Sequence, residues 1–309
     1  MKVIYSDQYD LHLGDHIFPS TKYRLAKEKL LRDGIISEAD LIAPAPASDE
    51  DVALVHDHGY ILKLKNGTLS QAEILQMEVP YSPELISAVW LAAGGSILAG
   101  RLAVKDSVAV NLSGGFHHAY PDHGEGFCVL HDVAIAIRRL QKDHTIQSAM
   151  TVDCDVHQGN GTAAIFRNEP SVFTFSIHQE RNYPYPKPPS DLDVNLENGT
   201  TDEEYFAALE QGLDQALAEF QPDLIFYLAG ADPYEQDQLG GLKLTQLGLA
   251  ERDRMVFERA GAANIPVAVT LAGGYARHIQ DTVQIHTNTV LVAKEHERRR
   301  ERSIMETGN

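Results

Sequence analysis

The sequence contains only two cysteines, Cys128 and Cys154, among 309 residues. Two thiols are too few for a disulfide framework, and the opening residues MKVIYSDQYD lack the apolar core of a secretion signal. No apolar run approaches the roughly 18 residues that a membrane-spanning helix needs. These absences predict a soluble cytoplasmic protein that does not act at a membrane.

Basic residues are scarce as well, since 26 lysines and arginines stand against 44 aspartates and glutamates, for a net charge of −18. The field of such a surface repels phosphate backbones and attracts cations. Nucleic acid is therefore not expected as a direct partner. Attraction of a positively charged substrate and ordinary solubility are two equally weighted interpretations of the charge.

Five short apolar runs have the composition of strands that are buried on both faces, at residues 107–112, 149–153, 172–177, 224–228 and 266–271. Helical patterns separate these runs. Thr201 and Glu204 form a predicted capping box, behind which apolar residues recur every three or four positions as far as Phe220. Because strands that alternate with helices build parallel βαβ units, we predict an α/β fold with one doubly wound, mostly parallel sheet.

The chain has no internal repeat and no glycine- and serine-rich linker that could divide it. The predicted organisation is one domain, residues 1–295, followed by a charged tail, residues 296–309. The segment 182–190, NYPYPKPPS, carries four prolines. It is predicted to be a loop, either on the surface or at a pocket rim.

Polar segments directly follow four of the predicted strands, at the edge where α/β sheets place their ligand sites. They are GGFHH at 114–118, CDVHQGNG at 154–161, AGADP at 229–233 and AGGY at 272–275. Asp155 and His157 point to the same side of an extended segment, and Asp232 can complete a set of three ligands. Two carboxylates and one imidazole leave a coordination position open, which is typical of catalytic zinc. His117 and His118 are the available bases.

In combination these motifs resemble those of the histone deacetylase family, and the class IV branch is the most similar. GGFHHA, DCDVHQGNG, AGADPYEQDQLGG and AGGY carry the resemblance, which extends from about Tyr5 to Ala293. It implies the three-layer α/β/α arginase/deacetylase fold with about eight strands. It also implies a zinc-dependent deacetylase, with one Zn²⁺ per chain, that acts on acetylated or longer-chain acylated lysine in proteins or peptides. The short chain indicates a bacterial homologue.

The resemblance assigns roles to individual residues. It implies Zn²⁺ ligands at Asp155, His157 and Asp232. It implies a catalytic group made of the proton-transfer histidines His117 and His118, their partners Asp153 and Asn160, and the oxyanion donor Tyr275. It further implies channel walls at Gly126, Phe127 and Leu239, and a structural K⁺ site at Asp153, Asp155, His157 and Ser176. His16 and Phe18 are expected at the inner end of the pocket, with core packing as an equally weighted interpretation for Phe18. Asn160 departs from the aspartate that class I enzymes use, so His118 should be less basic than it would be beside a carboxylate.

Three alternative functions compete with this interpretation. The substrate can instead be an acylated polyamine or another small amide, with Glu78 as an acidic rim residue, or the chain can be a non-catalytic acyl-lysine binding module. Retention of the histidine pair and Tyr275 favours an enzyme over a binding module. A binuclear manganese ureohydrolase of the arginase type shares the fold, but it needs further carboxylates where this chain has Gly159 and Gly230.

Overall fold

The computed structural model of the chain describes residues 1–11 and 13–307, with side chains described as far as residue 300. Within this part, eight strands form one sheet in the order β2-β1-β3-β8-β7-β4-β5-β6, and every neighbouring pair is parallel. The strands are β1 Lys2–Ile4, β2 Leu41–Ile42, β3 Val108–Asn111, β4 Ala149–Asp153, β5 Val172–Gln179, β6 Leu192–Leu196, β7 Leu224–Leu228 and β8 Val267–Thr270. The predicted fold class is confirmed.

Helices cover both faces of the sheet. They are α1 Thr21–Arg32, α2 Asp49–Val52, α3 His58–Asn66, α4 Gln71–Met77, α5 Pro83–Asp106, α6 Asp132–Lys142, α7 Asn160–Ile165, α8 Asp202–Glu219, α9 Gln246–Ala262 and α10 Ile279–Thr307. Side chains that alternate along each strand feed two separate apolar clusters. In β7, Ile225 and Tyr227 pack towards α1, α8, α9 and α10, whereas Phe226 packs towards α5 and α6. Burial on both faces explains why these strands are continuously apolar.

Helix α5 corrects the prediction that no apolar run is long enough to span a membrane. An 18-residue window of α5 has a mean hydropathy of 1.5 and meets the requirement by length and composition. The small residues and glycines in its middle hid this property. However, 72% of the window is buried inside the protein, where α5 packs against α6 and the sheet. Gly94 permits part of this packing, since a Cβ there would lie 1.9 Å from the Ala45 carbonyl oxygen. The helix is therefore a core element.

The other predicted elements are present with small shifts at their ends. The five predicted strands correspond to β3, β4, β5, β7 and β8. The capping box of α8 forms, with the Thr201 N–H donating to the Glu204 carboxylate at 2.9 Å, and the helix ends at Glu219, one residue before the predicted Phe220. Residues 182–190 form a loop. The predicted boundary at residue 295 falls inside α10, and the division of the chain there stays a prediction.

Candidate active site

The polar segments that follow β3, β4, β7 and β8 lie side by side, because these strands are neighbours in the sheet. The turn after β3 passes very close to the segment after β8. Gly114 and Gly115 have φ values of +83° and +80°, and a Cβ at Gly115 would lie 2.7 Å from the Ala272 side chain. Only glycine combines this backbone conformation with such an approach. The sheet thus collects the four predicted segments at one edge.

Asp155, His157 and Asp232 form a buried group, with one ligand atom of each residue within 4.8 Å of the others. His157 Nδ1 lies 3.1 Å from Asp155 Oδ1 and 3.5 Å from Asp232 Oδ2. Backbone groups orient both carboxylates: the Val156 N–H donates to Asp232 Oδ1 and the Gly273 N–H to Asp155 Oδ2, each at 2.9 Å. The predicted ligand set is therefore preassembled by the strand ends.

The chemistry of this group fits a cation. Asp232 Oδ2 is buried without a hydrogen-bond partner among the described residues, which is costly unless a positive charge compensates it. Burial and the nearby Asp155 charge raise the pKa of Asp232 to about 7. Burial alone would lower the pKa of His157, but its hydrogen bond with Asp155 and the charges of Asp155 and Asp232 outweigh burial and raise it to about 10. Two carboxylates and one imidazole with open positions match the donor set of catalytic zinc.

The carboxylates occupy space that is open only because the neighbouring residues are glycines without side chains. A Cβ at Gly273 would lie 2.1 Å from Asp232 Oδ2, and one at Gly230 would lie 2.7 Å from Asp155 Oδ2. A Cβ at Gly159 would lie 2.7 Å from Asp153 Oδ2. Gly159 and Gly230 are the positions where a second metal would need carboxylates, and neither has room for a side chain. This packing favours a site for one metal ion.

The two adjacent histidines have the partners that the sequence predicts. His117 Nδ1 lies 2.6 Å from Asp153 Oδ2, and His118 Nδ1 lies 2.6 Å from Asn160 Oδ1. Burial alone would lower the pKa of His117, but the Asp153 and Asp155 carboxylates raise it to about 9. Burial, with the charges of His117 and His157, holds the pKa of His118 well below its usual value. Near neutral pH the pair therefore offers one protonated imidazole and one free base.

A cavity of about 410 Å³ leads to this group. Its lining comprises Glu78, His118, Gly126, Phe127, His157, Asn182, Tyr183, Leu239 and Tyr275. The three predicted wall residues are all included, and so is the predicted oxyanion donor. Burial and the charges of Asp155 and Asp232 hold the pKa of Tyr275 well above its usual value, so its hydroxyl keeps a proton to donate. Asn182 and Tyr183 place the proline-rich loop at the pocket.

The remaining predicted positions lie near this site. Ser176 stands next to Asp153 in the register of β4 and β5, and its hydroxyl is 2.9 Å from His178 Nδ1. The K⁺ site stays a prediction. Phe18 is buried, with its ring centroid 6.5 Å from that of Tyr275. His16 is half-exposed and lies 2.8 Å from the carbonyl oxygen of the exposed Glu78, so it is at the pocket mouth rather than at the inner end as predicted.

Lys22 was missed by the sequence analysis. It is fully buried, donates to the Ala272 carbonyl oxygen at 2.8 Å, and places its ammonium 5.5 Å from the Tyr275 ring centroid. Burial lowers the pKa of Lys22 to about 8, against the opposing attraction of Asp232. Its spacing in the sequence could have indicated its burial, since Lys22 lies at position i of an i, i+4, i+8 pattern on α1 with the apolar residues Ala26 and Leu30.

Asp237 was also missed. It is a buried carboxylate that accepts backbone N–H groups from Tyr275 at 2.7 Å and from Leu239 at 2.8 Å. One side chain thereby links the backbone of the proposed oxyanion donor to the backbone of a pocket-wall residue. Its position within AGADPYEQDQLGG gave no local signal of these contacts.

Residues 16–290 match the family model described as histone deacetylase domain. Because the match spans most of the chain, the protein belongs to the histone deacetylase family. Family membership supports an amide hydrolase that acts on acylated amines, and the buried Asp–His–Asp group is a candidate metal site within it.

Similar proteins agree with this assignment. The chain is 41% identical over 286 residues to an uncharacterized protein of Picosynechococcus sp., covering 92% of this chain and 95% of that one. It is 32% identical over 302 residues to histone deacetylase 2 of Arabidopsis thaliana, covering 92% and 78% of the two chains. The crystal structure of an HDAC homolog complexed with SAHA superposes with a TM-score of 0.82 at 25% identity, covering 96% and 83%. The class IV and bacterial assignments stay predictions.

Proposed function

We propose that the protein is a cytoplasmic zinc-dependent amidohydrolase that removes acetyl or longer acyl groups from acylated lysine in proteins or peptides. The observation that carries the proposal is the position of the buried Asp155, His157 and Asp232 group, whose His157 shares one cavity with His118 and Tyr275. When bound there, Zn²⁺ supplies a Lewis acid that polarises the acyl carbonyl and lowers the pKa of water.

The histidine pair carries out the proton transfers of the reaction. His118 is uncharged near neutral pH, so it accepts the proton of the water molecule that attacks the carbonyl carbon. As the C–N bond breaks, His118 returns this proton to the departing amine nitrogen. The products are a carboxylate and an alkylammonium, which carries both protons of the water molecule. His117, whose Nδ1 lies 2.6 Å from Asp153 Oδ2 and whose pKa is raised to about 9, keeps a positive charge beside the developing negative charge.

Tyr275 stabilises the oxyanion that forms during the attack. Its high pKa keeps the hydroxyl protonated as a donor, and its backbone is held by Asp237. The walls formed by Phe127, Tyr183 and Leu239 suit the aliphatic stem of an acylated lysine. A structural K⁺ at Asp153, Asp155, His157 and Ser176 is part of the proposal.

An acylated polyamine is the second candidate substrate. Glu78 lines the cavity and is exposed at its mouth, and burial together with the neighbouring Glu125 raises the pKa of Glu78. A second amine on the substrate would relieve the repulsion between these two carboxylates.

The proposal is tested by amine release from acetyl-, octanoyl- and myristoyl-lysine peptides and from acetylpolyamines, with and without Zn²⁺. Tyr275→Phe serves as the matched variant, because it removes one hydroxyl and leaves the ligands in place. We expect zinc-dependent turnover of at least one substrate, and a rate about 10²–10³ lower in the variant at unchanged zinc content. Bound zinc without any turnover would refute the hydrolase. An unaffected Tyr275→Phe variant would remove Tyr275 from the mechanism.

A further inference from the structure

Asn160 is held from both ends of its side-chain amide. Its Oδ1 lies 2.6 Å from His118 Nδ1, and its Nδ2 donates to Glu125 Oε1 at 2.7 Å. The Tyr183 hydroxyl donates to the same Glu125 oxygen at 2.6 Å. Glu125 is half-buried, with 21% of its side chain exposed. A chain of hydrogen bonds therefore runs from His118 through Asn160 to Glu125 and on to the pocket wall.

The carboxylate of Glu125 determines which way the amide points. An amide can rotate by 180° and exchange its oxygen and nitrogen, whereas a carboxylate oxygen only accepts hydrogen bonds. The Tyr120 hydroxyl also interacts with Asn160, but a hydroxyl can donate or accept and selects neither orientation. Glu125 is thus the partner that requires Asn160 Nδ2 on its side, and this requirement turns Oδ1 towards His118.

The amide orientation in turn determines the tautomer of His118. With Oδ1 facing it, Nδ1 must carry the proton, and Nε2 keeps a free lone pair. With the amide reversed, the Asn160 amino group would donate to Nδ1, the proton would move to Nε2, and the imidazole would have no free nitrogen to act as a base. His117 needs no such device, because Asp153 accepts from its Nδ1 directly.

We propose that Glu125 is a positioning residue that acts through Asn160 to hold His118 in the Nδ1–H tautomer. Its effect on catalysis rests on the proposed function, whereas its effect on the tautomer does not. Glu125 supplies from a separate loop the directional acceptor that an aspartate at position 160 would supply by itself.

The test compares wild type, Glu125→Ala, Glu125→Gln and Tyr183→Phe as full-length, zinc-loaded proteins. ¹⁵N NMR of labelled histidine reports the tautomer, and kcat and KM are measured with an acyl-lysine peptide. We expect Nδ1–H in wild type, a mixture with Nε2–H in Glu125→Ala, and a kcat in that variant that falls in proportion to the fraction of His118 left in the Nδ1–H form, since only that form can act as a base. Glu125→Gln should recover part of both, because its amide oxygen can still accept from Asn160.

Tyr183→Phe is the control for the pocket wall. It removes the hydroxyl contact to Glu125 but leaves the Glu125–Asn160 hydrogen bond, so its His118 should keep the Nδ1–H signature. A Glu125→Ala variant that keeps the wild-type tautomer would overturn the proposal, even if kcat falls. An unchanged kcat in a variant with a mixed tautomer would overturn the catalytic part of the proposal and leave the control of the tautomer by Glu125 standing. Absence of turnover in wild type would refute the proposed function, and the NMR comparison would still decide the role of Glu125.

Discussion

His117 and His118 are neighbours in the chain, yet their surroundings give them opposite proton affinities. His117 contacts the carboxylate of Asp153, which outweighs burial and raises its pKa to about 9. His118 contacts the neutral amide of Asn160, so burial dominates and its pKa falls well below the usual value. Having an amide in place of a second carboxylate thus gives the pair one imidazole that is protonated near neutral pH and one weaker base that is uncharged and free to accept a proton.

Asp232 is expected to be indispensable for metal binding. Asp232→Ala removes one of three ligands and should lose bound zinc and deacylase activity together. Metal analysis of the purified protein and an activity assay measure the two quantities. Asp122→Ala is the matched control, because that carboxylate is 67% exposed and lies outside the metal group. Retained zinc in Asp232→Ala would show that the ligand set is wrong.

Lys22 should make the stability of the metal-free protein depend on pH. The pKa of Lys22 is about 8 in the folded protein and 10.5 for a solvated lysine, as in the unfolded chain. As the pH rises, the folded protein therefore releases this proton first. The unfolded state then binds more protons, and the free energy of unfolding increases between pH 8 and 10.5.

Relative to Lys22→Met, wild type should gain up to about 3 kcal/mol across that interval. Urea unfolding of both proteins at pH 7.5 and 10 measures the gain. Parallel profiles for the two proteins would show that Lys22 is not deprotonated on burial.

At the scale of the elements, five strands and the helix α8 could be predicted because their signals are local. Runs such as Ala149–Asp153 are apolar on both faces, and the polar segments begin where those runs end. The three strands that were missed have weak signals. β1 and β2 have three and two residues, and β6 is a partly exposed edge strand with polar residues at alternate positions.

The grouping of the three candidate ligands with the histidine pair could be predicted for the same reason, since each of these residues follows a strand. The supporting contacts could not. The Tyr183 hydroxyl reaches Glu125 across 58 residues of sequence, and the Lys22 ammonium reaches Ala272 across 250. Only the packed sheet brings such pairs together, and no spacing rule in the sequence encodes them.

Helix α5 offers a test of its close packing. Alanine favours helices over glycine by roughly 1 kcal/mol, but in Gly94→Ala the new methyl group would meet backbone atoms of Ala45. We expect Gly94→Ala to lower the free energy of unfolding by about 1–3 kcal/mol.

Gly59→Ala in α3 is the matched control, because a Cβ at that position would meet no atom within 4 Å beyond its chain neighbours and the backbone of its own helix. It should be neutral or stabilising by up to about 1 kcal/mol. Thermal unfolding of both variants measures the difference. Equal stability of the two would show that α5 is not packed as described.

At the scale of the whole molecule, the sheet brings every proposed catalytic group to one edge. Acidic residues outnumber basic residues in the chain, 44 to 26. The net charge of −18 disfavours contact with nucleic acid and suits cationic substrates. Both interpretations of this charge, substrate attraction and solubility, agree with an enzyme whose pocket mouth carries Glu78.

The most direct test of the central claim is a titration of metal-free protein with Zn²⁺, in which bound zinc and deacylation of an acyl-lysine peptide are followed together. The account predicts that activity rises in proportion to bound zinc and reaches its maximum at one ion per chain. Activity that persists without metal, or that requires two ions per chain, would contradict a hydrolase centred on Asp155, His157 and Asp232.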